Sequence, residues 1–297
     1  DDLEIMLAAC RRQEDVFGPR AVLDTVLAQR ALARGLVAKC PAPLRPRLLS
    51  VYSGLSCAAG AYYLDMGDPE RARRCWDAAR TAAHDARNPA HACYASCQIS
   101  FLARLSGDAP TALDRAAAAV SLGTRTDDVL LRALADQMTA AAFALDGQYA
   151  AFMAASERAQ DALAAGGQAA PPGSLAYWLD EGHLLSQRSD YLLLLDKPEQ
   201  AADAASAALG RLDTGYVGGC AWLSIRCGTA HLRCGRVEEA AQVLGDAARF
   251  ASHSPSVRLT RELCTARAQM QQWRSTHPVK MLDELLAAYG FEVPTSD

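Results

Sequence analysis

A helical pattern that breaks at a Gly-Asp-Pro and resumes at once, "YYLDMGDPERARRCWDAA" from Tyr62 to Ala79, limits what this chain can fold into. The break recurs. Gly67-Asp68-Pro69, Gly107-Asp108-Ala109, Gly147-Gln148, Asp196-Lys197-Pro198 and Gly235-Arg236 follow one another at intervals of 40, 40, 49 and 39 residues. Five residues past each turn stand Ala72, Ala112, Phe152, Ala201 and Ala240, and seven further on Ala79, Ala119, Ala159, Ala208 and Ala247. Self-similarity at such a period marks a stack of helical units that bury their apolar faces on one another.

The residue types have physical reasons. Gly67 accepts the positive φ of a helix end, and Pro69 opens the next helix where no donor N–H is needed. Antiparallel helices approach closely only where small side chains face, so Ala72 and Ala79 are expected to leave room for Tyr63. Trp76 is expected to fill the space beside the next hairpin. The order Gly60, Tyr63, Ala72, Trp76, Ala79 resembles the tetratricopeptide repeat (TPR), with Trp76 in its Phe place, and Gly228 and His231 echo it. Asp196 departs by replacing the turn glycine, and Ala116 and Ala205 by replacing the bulky residue of the second helix. The resemblance implies an all-α fold, a right-handed α-solenoid of TPR-like helical hairpins. Residues 1–44 read as an irregular N-terminal hairpin, with helical patterns on both sides of "FGP". Residues 45–250 read as five repeats, and 251–297 as closing helices over Ser256 to Arg274 and Val279 to Tyr289. The loop 164–174, "AAGGQAAPPGS", accounts for the long interval and reads as a hinge or wide bend.

Composition narrows the function. The net charge of −4 argues against duplex DNA binding by this chain alone. No apolar run approaches the roughly 20 residues of a membrane span, so no membrane partner is expected. The opening "DDLEIMLAAC" lacks the basic-then-apolar order of a secretion signal, and with no initiator Met it reads as a fragment without its N-terminal part. Most of the ten cysteines sit among Ala and Leu at helical spacing and read as small reduced hydrophobes of a cytoplasmic protein. Cys227, His231 and Cys234 share one helical face, as do Cys93 and Cys97, but packing is the stronger reading and no metal is expected. With no Gly-rich phosphate loop, GxSxG or HExxH, neither a cofactor nor an enzyme is expected.

TPR proteins commonly hold ligands against the inward face of each first helix. Carried onto this sequence, that face comprises Tyr94, Cys97, Phe101 and Arg104, then Gln137, then His183, Ser186 and Asp190, then Trp222, Thr229 and Arg233. Aromatic rings beside hydrogen-bonding groups suit a peptide or amphiphilic small molecule. The run "RQEDVFGPRAVL", the hairpin "GDPERARRCWDAARTAAHDARN" and the order of later elements resemble the C-terminal part of Xre-type helix-turn-helix regulators of Streptomyces and related actinobacteria. That resemblance implies a ligand- or peptide-sensing, homodimerising domain whose DNA contact lies in a missing N-terminal domain. The alternative is a protein–protein interaction scaffold with neither small ligand nor DNA partner. In a mobility-shift assay at physiological salt, these residues alone are expected to leave duplex DNA unshifted. Tight, sequence-selective retention would overturn that reading of the charge.

Overall fold

The computed structural model describes residues 2–166, 173–211, 217–253 and 256–291, and among these it is helical without a strand. The elements are α1 (Asp2–Phe17), α2 (Leu23–Val37), α3 (Arg45–Asp65), α4 (Pro69–Asp85), α5 (Pro89–Leu105), α6 (Ala109–Gly123), α7 (Val129–Leu145) and α8 (Tyr149–Ala165). They continue with α9 (Glu181–Leu194), α10 (Pro198–Leu209), α11 (Val217–Arg233), α12 (Val237–His253), α13 (Val257–Ala268) and α14 (His277–Ala288). Short 3-10 turns stand at Pro19–Ala21, Ala42–Leu44 and Gln271–Trp273. No helix among the described residues is long and apolar enough to cross a membrane. Part of the expected hinge, residues 167–172, lies outside the described residues.

The five recurring turns share one hydrogen-bond geometry. The N–H after the turn residue donates back to a carbonyl five residues earlier: Asp68 to Tyr63, Asp108 to Ala103, Gln148 to Phe143, Lys197 to Leu192 and Arg236 to His231, at 2.8–2.9 Å. This closes the last helical turn on a residue of positive φ, a form glycine adopts without steric penalty. Gly67, Gly107, Gly147 and Gly235 have φ of 74 to 81°, and Asp196 takes the same place at 54°. The substitution at Asp196 therefore leaves the turn intact, since Asp tolerates the left-handed region better than most side chains. Side-chain caps start the helices after the first two turns, with Asp68 accepting from the Arg71 N–H and Asp108 from the Thr111 N–H, whereas Gln148 and Lys197 give none at the third and fourth.

Chain contacts divide the molecule into two compact units, Asp1–Arg12, Ala21–Leu64 and Asp68–Asp180 in one, and Gln13–Arg20, Asp65–Gly67 and Glu181–Asp297 in the other. In the first, α5 pairs with α6 and α7 with α8, and α5 also lies beside α7. In the second, α9 pairs with α10 and α11 with α12, α9 neighbours α11, and α12 packs on α13 and α14. Buried Arg267 of α13 holds Asp283 of α14 through two hydrogen bonds, fixing the closing pair.

Small residues form the seam of the hairpins, except that Phe152 takes the first position in the third. Ala72, Ala112, Phe152, Ala201 and Ala240 have no exposed surface, and neither have Ala79, Ala119, Ala159, Ala208 and Ala247. The seam is also hydrogen-bonded. Ser53 Oγ donates to the Ala79 carbonyl at 2.9 Å, and in the next hairpin the Cys93 thiol reaches the equivalent Ala119 carbonyl at 3.3 Å.

One pair of positions explains where bulk is allowed. Gly60 lies so close to Trp76 that a Cβ would fall 2.4 Å from the indole nitrogen, and at the same spacing a Cβ on Gly228 would fall 2.7 Å from Leu244 Cγ. The equivalent pairs elsewhere are Ser100 with Ala116, Ala140 with Ser156, and Ser189 with Ala205, all buried. A large residue on the second helix thus goes with glycine on the first, and a small one with serine or alanine. Trp76, rather than Tyr63, takes the room beside Gly60, and its indole donates to the Cys57 carbonyl at 3.1 Å. Trp76 also meets Ala95, Ile99 and Leu102 of α5, whereas Tyr63 is half-buried with Arg71 stacked at 5.5 Å.

Trp76→Ala is expected to cost about 3–5 kcal/mol, as large aromatic deletions in cores do. Gly60→Ala should lose about 1–3 kcal/mol by overpacking, although alanine favours helix. Combining Gly60→Ala with Trp76→Leu should recover part of the Trp76→Leu loss in urea midpoints. Strict additivity would show that the two positions do not share their space.

Candidate functional site

The face expected to hold a ligand falls in both compact units, which are taken separately. In the first, α5 carries Tyr94, Cys97, Phe101 and Arg104. Tyr94 and Phe101 are two helical turns apart, half-buried, and packed against the cluster that includes Cys57, Leu64 and Trp76. The Arg104 guanidinium lies 5.2 Å from the Phe101 ring centroid. Burial pushes the Tyr94 hydroxyl pKa up to about 12, with the nearby Trp178 indole acting the other way.

Cys97 and Gln137 are core residues, 1% and 2% exposed. Their position, ten residues before the turn, is also buried at Cys57, Ser186 and Ile225 in the other hairpins, because it faces neighbouring helices. Burial and the adjacent Cys93 raise the Cys97 thiol well above its ordinary value, so it stays protonated and unreactive at neutral pH. The Gln137 amide nitrogen finds no hydrogen-bond partner among the described residues.

In the second unit α9 carries His183, Ser186 and Asp190, with Ser186 buried and the other two half-buried. Ser186 Oγ accepts from the Arg226 guanidinium at 3.0 Å. Two cations approach the half-buried Trp222 of α11, Arg258 at 4.1 Å and Arg226 at 5.7 Å from its ring centroid. Such stacking uses the flat face of a guanidinium and leaves its in-plane N–H groups for hydrogen bonds, as Arg226 makes to Ser186. Thr229 turns its hydroxyl to the Ile225 carbonyl at 2.8 Å. Arg233 is exposed and donates to Asp196 Oδ1 at 2.8 Å.

Trp178, Arg226 and Arg258 belong to these clusters but were not among the residues expected from the sequence. Arg226 was findable, since it stands four residues after Trp222 on one helix. Trp178 and Arg258 reach their partners only through the fold.

None of the ten cysteines stands in a disulfide, and most are buried. Burial pushes Cys57 up to about 12 and Cys227 to about 11. Among the described residues no group of three or more His, Cys, Asp or Glu is placed to hold a metal ion. Comparison with family models and with curated proteins finds no match to this chain.

One turn before Tyr94, burial pushes His91 down from 6.5 to about 4, with Arg11 acting in the same direction and Glu4 opposing. The folded pKa is the lower one, so between these values the unfolded chain binds the proton and acid favours unfolding. The stability held by neutral His91 is complete above pH 6.5 and is lost as pH falls towards 4. The urea midpoint should therefore drop over that window, and His91→Gln should flatten the drop. Equal drops in parent and variant would remove His91 as the cause.

Proposed function

We propose that this chain is the sensory domain of a transcriptional regulator, a right-handed α-solenoid of TPR-type hairpins that acts as a homodimer in the cytoplasm. DNA would be read by a helix-turn-helix domain outside this sequence. The ligand is a peptide or small amphiphile bearing an anionic group, held on the first helices of the hairpins. A ligand that prefers one curvature of the stack shifts the spacing of the two DNA-binding heads by its differential affinity.

The observation that carries this reading is the pairing of half-buried aromatic rings on those helices with guanidinium groups: Phe101 with Arg104, and Trp222 with Arg226 of the same helix and Arg258 of α13. A carboxylate beside apolar surface finds there both a charge-assisted partner and a wall to bury against. A protein-interaction scaffold is the second reading, favoured by Ile5, Leu32, Leu36 and Leu44, which stand exposed on the N-terminal elements.

The test is a thermal-shift screen with short peptides and anionic amphiphiles, followed by calorimetric titration of the hits. Arg104→Ala and Trp222→Ala should each weaken binding roughly ten- to a hundredfold, the loss of about 1.5–3 kcal/mol from one charge-assisted contact or aromatic wall. Arg104→Ala should lower Tm by no more than about 2–4 °C, as losing a surface stacking contact does. Hits with unchanged affinity in both variants, or no hit at all, would leave the scaffold reading ahead.

A further inference from the structure

Most of α2 and all but the end of α3 run against the charge of the chain. Residues 25–64 include Arg30, Arg34, Lys39, Arg45 and Arg47 but no Asp or Glu, in a protein whose net charge is −4. Arg47 is answered by Glu4, whose carboxylate lies 2.7 Å away. Arg30 and Arg34 form no ion pair with any described residue. A surplus of one sign beside low-dielectric walls concentrates counter-ions there.

Both of these arginines line a cavity of about 420 Å3, together with Leu27, Ala31 and Gly35 of α2 and Tyr52 of α3. That volume falls within the roughly 300–1,000 Å3 of small-molecule pockets. The α2 residues recur at three- and four-residue spacing and so share one helical face. Ala31, Arg34 and Gly35 are exposed, which opens the cavity along the outer edge of α2, whereas Leu27, Arg30 and Tyr52 are half-buried.

Arg30 is held in place by the protein itself. Its Nε donates to Ser56 Oγ at 2.8 Å and its Nη2 to the Tyr52 hydroxyl at 3.1 Å, with the guanidinium carbon 5.2 Å from the Tyr52 ring centroid. Nη1 and the second Nη2 hydrogen are left for a further acceptor. Arg34 follows one turn along the helix and makes no hydrogen bond to a described residue. A Cβ on Gly35 would meet nothing within 4 Å. No close approach asks for glycine there, unlike at Gly60 and Gly228, and the missing side chain adds to the open space.

We propose that this cavity binds a small phosphate monoester, its phosphate held by Arg30 and Arg34 and its apolar body lying against Leu27, Ala31 and the Tyr52 ring. A phosphate monoester brings about −2 charge at neutral pH to two guanidinium groups that lack a carboxylate. The site goes beyond the sensory reading and does not rest on it, since none of its residues belongs to the ring and guanidinium pairings of α5 and α11.

The probe is phenyl phosphate, titrated calorimetrically into the whole chain, with inorganic phosphate, phenol and benzoate as comparators. Phenyl phosphate should bind with Kd at or below about 1 mM, and each comparator at least about tenfold more weakly. Arg34→Ala should weaken phenyl phosphate about tenfold or more while leaving Tm unchanged, because Arg34 has no partner within the fold. Gly35→Leu fills the cavity and should abolish binding without lowering Tm, since leucine favours helix more than glycine does. Arg125→Ala removes the same charge from an exposed residue after α6 and should bind as the parent does. No binding by the parent, a comparator as tight as phenyl phosphate, or equal affinity in the parent, Arg34→Ala and Gly35→Leu would overturn the proposal. Equal weakening in Arg125→Ala and Arg34→Ala would overturn it too, by showing an effect of net charge. All three variants leave the α5 and α11 pairings intact, so the sensory-domain screen stands or falls separately.

Discussion

The close approach of two antiparallel helices within each hairpin is the constraint on which everything else in this molecule depends. Backbones come together most closely where side chains are small, so alanines stand at fixed offsets around the turns, with Phe152 the exception, and have no exposed surface. The turn then has to reverse the chain within a few residues, and a residue of positive φ with a backward N–H bond does so each time. Bulk enters under a local exchange: Trp76 fits because residue 60 has no Cβ, and Leu244 because residue 228 has none. Close packing makes this exchange strict, since a seam built on alanine has no slack to give.

A seam of small residues has a consequence for the faces. Large side chains are few, and some of the aromatic ones fill a core gap, as Trp76 does, while others stand half-buried on a first helix, as Tyr94, Phe101 and Trp222 do. The half-buried rings gather cations: Arg104 on Phe101, Arg226 and Arg258 on Trp222. Each pairing combines an apolar wall with an ordered donor, and the proposal of a site for amphiphilic anions rests on that combination. The thiols contribute differently. Burial holds them protonated, so a chain rich in cysteine presents most of its sulfur as packing volume.

Much of the architecture was legible because hairpin formation is local. The turn residues, the alanine offsets and the proline starts act within a few residues of themselves, and the helices lie where the repeat put them. The exception at Asp196 was visible as a substitution, and its φ shows that the turn survives it. What the sequence left open depends on contacts between distant residues. Gly60 was readable as small, but that Trp76 and not Tyr63 takes its space follows from how the two helices meet. Cys97, Gln137 and Ser186 looked like groove residues by their helical spacing, and the fold buries them, because periodicity gives a face without saying what covers it. The sequence by itself determined the helices, their turns and the small-residue seam, since these arise from backbone conformation and volume at short range. Only the tertiary structure decided that Trp178 comes near Tyr94 and that Arg258 stacks on Trp222, because no local preference fixes where a loop or a later helix comes to rest.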